Sequence, residues 1–156
     1  MFKKILVPLD GSDLAAKVLP QVKELAKNLH ADITLITVGN TFIAGTISDS
    51  VPVGFADFCS QLKLHAEKKL IAAAESIKEV NVSWVYKEGA AAAEIIAYAA
   101  ENAFDLIAMA THGLGDVAWV IGSVAEKVVR RATVPVLLLR VLEPGRPSAK
   151  LRQTVS

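Results

Sequence analysis

Two short segments of the chain carry residue types suited to holding an anion. Ala110-Thr111-His112-Gly113 closes the apolar run 105–109, and after eight further residues (114–121) Gly122-Ser123 opens an amphipathic stretch over 123–132. A buried strand that stops at a turn and resumes as a helix beginning Gly-Ser can cradle a phosphate. Glycine lets the backbone approach an oxygen closely, serine adds a hydroxyl, and the first N–H groups of the helix have no intrahelical acceptor and carry partial positive charge. Two other phosphate motifs do not occur: there is no Gly-Lys-Ser/Thr, and no Gly-x-Gly-x-x-Gly follows the first apolar run. His112 stands in the turn, where orienting the loop by hydrogen bonding suits it better than acid–base catalysis. The stretch 114–121 holds Asp116 and neither Lys nor Arg. A carboxylate there repels phosphate unless it faces solvent or helps hold Mg²⁺. Without a cation reaching in, fast phosphoryl transfer lacks its charge stabilisation.

The elements that must position these residues follow from periodicity. Short β-branched or apolar runs alternate with amphipathic stretches, which predicts a parallel sheet with helices on both faces. Strands are expected at 4–8, 33–38, 80–86, 106–109 and 134–141. The first helix keeps its period through Leu14, Val18, Val22, Leu25 and Leu29, with Ser12 as N-cap and a bend at Pro20. A second helix presents Phe58, Leu62, Ala66, Leu70, Ala73 and Ile77 on one face. Residues 92–103 form an Ala-rich helix and 123–132 the last one. Residues 39–56 lack a clean period and are expected to form a lid or packed loop, with Trp119 packing against the sheet or that lid. The tail 142–156, with two prolines and one glycine, reads as a flexible appendage to a single domain at 1–141.

Composition narrows the function classes. A net charge of +1 gives no electrostatic reason to expect nucleic acid or an anionic membrane as partner. No apolar run approaches the roughly 18 residues that span a bilayer, and the N-terminal apolar run is too short for a secretory segment, so a cytoplasmic setting is expected. The single cysteine, Cys59, forms no internal disulfide and is expected to be a half-buried residue at a helix start. His30 and His65 fall at polar, solvated positions.

The order and spacing of several blocks together resemble the universal stress protein family over 1–141. These are Ile5-Leu-Val-Pro-Leu-Asp-Gly-Ser12, Ile36-Thr-Val38, Lys87-Glu-Gly89 with Ile95, Asp105-Leu-Ile-Ala-Met-Ala-Thr-His-Gly113, Gly122-Ser-Val-Ala-Glu-Lys-Val-Val-Arg-Arg-Ala132 and Pro135-Val-Leu-Leu-Leu139. The resemblance implies an α/β fold with an open five-stranded parallel sheet in the order 3-2-1-4-5. It also implies ATP or AMP, with or without Mg²⁺, at the carboxyl ends of strands 1 and 4. Pro8, Leu9, Asp10 and Val38 then line the adenosine. Met109 and Ala110 lie by the ribose, Thr111 and Gly113 by the phosphates with His112 between them, and Gly122, Ser123, Val124 and Ala125 supply the helix start. Ala110 replaces the first glycine of the family's Gly-x-x-Gly, and the following loop is one residue short. An alanine is tolerable there only at negative φ. The resemblance further implies a stress-response regulator that acts as a homodimer through its last strand and through protein partners. Two alternatives stand beside it. One is a nucleotide-free dimeric adaptor. The other is a slow ATPase or self-phosphorylating enzyme, with Asp10 or Asp116 holding metal and Ser123 or Thr111 as acceptor.

Overall fold

The computed structural model describes residues 1–40, 53–111 and 121–141. His112, Gly113, Asp116, Trp119, most of the expected lid and the tail 142–156 lie outside the described residues. Five parallel strands, β1 (Lys4–Pro8), β2 (Asp32–Gly39), β3 (Val82–Glu88), β4 (Leu106–Ala110) and β5 (Val136–Leu139), form one sheet in the order β3-β2-β1-β4-β5. Side-chain alternation splits the core into two layers. Ile5, Val7, Ile33, Leu35, Leu106 and Ala108 point to one face, and Leu6, Ile36, Ile107 and Met109 to the other. The central strands β1 and β4 are buried on both faces, so they read as continuous apolar runs.

On the first face lie α1 (Asp13–Ala16), α2 (Leu19–Leu29) and α3 (Phe55–Ser76), with Val18, Val22 and Leu70 fully buried. The second face carries α4 (Ala91–Glu101), which buries Ile95 and Ala99, and α5 (Ser123–Arg131), which buries Ala125 and Val128. Among the described residues, no helix is long and apolar enough to cross a membrane.

Several expectations need correction. Pro20 does not bend a continuous helix. The helix breaks after Ala16, and Pro20 sits in the first turn of α2, where its missing N–H costs nothing. Ser12 does cap α1, its Oγ accepting the Ala15 N–H at 3.1 Å. The third strand starts and ends two residues later than expected, and the last covers only Val136–Leu139, because pairing with β2 and β4 sets these limits. The apolar face of α3 packs only in its C-terminal half. Leu70 and Ile77 are buried, whereas Phe58 and Leu62 are 51% and 48% exposed. Cys59, on that same N-terminal half, is exposed and not half-buried.

Candidate functional site

β1 leads to β2 on one side, while its other neighbour, β4, is reached only after the chain crosses from β3. The sheet's switch point therefore lies between the carboxyl ends of β1 and β4, where a doubly wound sheet leaves a crevice. A cavity of 310 Å³ opens there. Asp105 anchors the opposite ends of the two strands, one carboxylate oxygen accepting the N–H groups of Lys3 at 2.8 Å and Lys4 at 3.0 Å. Those two bonds hold its carboxyl below the ordinary value of 3.8.

Ten of the sequence-derived site residues line this cavity: Pro8, Leu9, Asp10, Val38, Met109, Ala110, Gly122, Ser123, Val124 and Ala125. Thr111 stands just beyond β4 and is not in the wall. Its N–H donates to the Leu139 carbonyl at 3.0 Å, and its carbonyl accepts the Gly122 N–H at 2.8 Å. The second bond ties the residue after β4 to the N-cap of α5 and sets the start of α5 directly beyond the end of β4. Sequence reasoning missed Ala15, Ile36, Ala91 and Ile95 as wall residues. Ile36 and Ile95 were visible as part of the matching blocks. Ile36 lies two residues before Val38 on the same face of β2, and Ile95 one turn after Ala91 on α4.

The cavity has two chemically distinct sides. Ile36, Val38, Ile95 and Met109 make an apolar wall that suits a planar heterocycle. Opposite, α5 begins with Gly122 at its N-cap, with no side-chain cap. The Gly122 carbonyl accepts the Glu126 N–H at 2.9 Å, the first bond of the helix. Among the described residues no acceptor faces the N–H groups of Ser123, Val124 and Ala125. A helix start that no described residue caps, turned toward a cavity, is ready for an anion. At the rim, one oxygen of Asp10 accepts the backbone N–H of Ser12 at 2.9 Å and also its hydroxyl. That turn fixes Leu9 and Asp10 against the cavity. Ala110 belongs to β4 and its φ is not positive, so its methyl imposes no backbone strain. Among the described residues no group of three or more His, Cys, Asp or Glu converges to hold a metal ion.

Fold and cavity define a doubly wound α/β protein with an anion-ready cleft at its switch point. The universal stress protein family model matches residues 1–140, and the chain belongs to that family. It is similar to the universal stress protein YxiE of Bacillus subtilis, 32% identical over 90% of this chain and all of that protein. Its fold matches the structure of MJ0577, a Methanocaldococcus jannaschii protein, at a TM-score of 0.78 and 25% identity over 92% of this chain and 99% of that one. It also matches a universal stress protein of Archaeoglobus fulgidus solved in complex with dAMP, at a TM-score of 0.64 and 21% identity over 88% of this chain and 98% of that one.

Proposed function

We propose that the chain binds an adenine nucleotide in the β1/β4 cavity and works as a stress-response regulator through assembly and partners, not through fast chemistry. The observation that carries this reading is the pairing of an apolar wall with three N–H groups at the start of α5 that have no acceptor among the described residues. The purine lies against Val38, Ile95 and Met109, the ribose near Ala110 and Asp10, and the first phosphate at Ser123–Ala125. The Ser123 hydroxyl adds one donor. At 310 Å³ the cavity is at the small end of the range of about 300–1,000 Å³ typical of ligand sites, which suits a nucleoside with its first phosphate. Further phosphates of ATP extend past the helix start, where Mg²⁺ would share their oxygens. The dAMP complex of the Archaeoglobus fulgidus relative supports an adenine ligand for the same fold.

Among the described residues no Lys or Arg lines the cavity, so phosphate is held there by backbone dipoles and the Ser123 hydroxyl. That favours binding over turnover, since phosphoryl transfer depends on cationic stabilisation of the transferred group. Mass spectrometry of protein purified without added nucleotide tests the reading. Stoichiometric ATP, ADP or AMP released on denaturation is the expected result. Protein that carries none, and that takes up none on incubation with AMP or with ATP in the presence and absence of Mg²⁺, supports the nucleotide-free adaptor instead.

A further inference from the structure

On the opposite face of the sheet lies a larger cavity of 610 Å³, distinct from the nucleotide site although Leu9 lines both. It exists because α2 and α3 are splayed. On the other face α4 and α5 pack against one another, whereas α2 and α3 scarcely meet. The residues between them are short: Ala16, Ala72, Ala73 and Ser76 line the gap where longer side chains would bridge the two helices. The larger apolar side chains of the wall are Leu9, Leu19, Pro20, Leu70 and Ile77. The one buried hydroxyl in it, that of Thr37, is already satisfied, donating to the Leu9 carbonyl at 2.9 Å.

The charges are unevenly placed. Lys69 crosses from α3 to the turn after β1, where its Nζ donates to the Gly11 carbonyl at 2.6 Å. An ammonium carries three donors, and among the described residues this is the single bond Lys69 makes. Lys23 lies in the same wall but is engaged by Glu79 at 3.6 Å. Among the described wall residues Asp13 is the one carboxylate, and it is exposed. Phosphate is poorly served here, because Pro20 removes a donor from the first turn of α2. A single carboxylate with an apolar body is well served. From Lys69 to Ser76 the helix advances about 10 Å, which suits a chain of roughly eight carbons.

We propose that this cavity binds a medium-chain aliphatic monocarboxylate, its head group on Lys69 and its hydrocarbon between α2 and α3. Charge complementarity with Lys69 selects the anion, and burial of the chain against Leu19, Leu70 and Ile77 supplies the affinity. Titration of the full chain with octanoate and with octylamine, read by calorimetry and by methyl NMR, tests this. Octanoate is expected to bind at one equivalent and to shift the methyl signals of Leu19, Leu70 and Ile77, with octylamine at least about tenfold weaker. Lys69→Met is expected to weaken octanoate about tenfold, and Lys69→Arg to restore most of the affinity. The proposal is overturned if octanoate leaves those methyl signals in place, if octylamine binds as well as octanoate, or if a folded Lys69→Met binds octanoate unchanged. Should Lys69→Met not fold, the octanoate and octylamine arms on the unmodified protein decide alone.

Discussion

Ala110 ends β4 in register with Leu139, buried and without positive φ, so the strand tolerates alanine where the family pattern has glycine. Ala110→Gly is therefore expected to destabilise the fold by about 0.5–1 kcal/mol through backbone entropy while leaving AMP affinity within about threefold. Thermal unfolding and calorimetry on the same sample check both halves. Asp105 governs the acid limb. Its carboxyl is held down chiefly by the Lys3 N–H and then by the Lys4 N–H, so the unfolded chain takes up the proton at a higher pH than the folded one. The resulting stability is present above the ordinary value of 3.8 and is lost as pH falls through the lower folded value. Asp105→Asn should thus lower Tm at neutral pH and flatten its decline between about pH 5 and pH 2. Melting curves across that range give the answer, and an unchanged acid limb would remove Asp105 from the account. At this scale the sequence was most legible where type and position coincide. Ser12 caps α1, and Gly122-Ser123 opens α5, because those residues act through local backbone geometry. Cys59 was misplaced because its burial depends on where α3 runs relative to the sheet, which no local pattern encodes.

α3 shows how an element can keep a correct period and still bury only part of its stripe. It is 22 residues long, and its apolar positions recur at helical spacing throughout, yet only the later turns lie over the sheet. Leu70→Ala is expected to cost about 2–5 kcal/mol, whereas Phe58→Ala on the same helix should stay within about 0.5 kcal/mol. Urea unfolding of the two variants separates packed from unpacked turns, and equal losses would mean that the N-terminal half is covered in solution. Pro20 teaches a related lesson. A proline in a periodic run is compatible with a kink or with a fresh helix start, and the first-turn position won because it leaves no carbonyl without its donor. The strand limits at β3 and β5 were set by neighbours, since a strand ends where its partner's ladder ends. The central strands, buried on both sides, announced themselves as unbroken apolar runs.

For the whole molecule, the alternation of strands and helices carried the fold class, and the strand order came from the family resemblance. That order leaves β5 at an edge. Val136, Leu137, Leu138 and Leu139 are all half-buried, with a free row of backbone groups along the outer side among the described residues. An edge this apolar invites pairing with a second copy about a two-fold axis, which closes at a dimer. Light scattering at about micromolar concentration is expected to give twice the chain mass, and Leu138→Lys to give monomer or aggregate. A well-behaved monomer of the unmodified protein would show that something else covers the edge. The central claim concerns the cavity at the switch point, where ten residues named from four separate stretches of the sequence meet. Gly122 there has φ −59° and ψ 150°, a conformation open to valine, so a β-branched side chain can be placed at the helix start without straining the backbone. Calorimetric titration of AMP into the unmodified protein and into Gly122→Val is the most direct test. The account predicts binding at one equivalent to the former and a loss of at least about tenfold in the latter, with the melting temperature little changed. Equal affinity in a folded Gly122→Val protein would contradict it and move the nucleotide away from the start of α5.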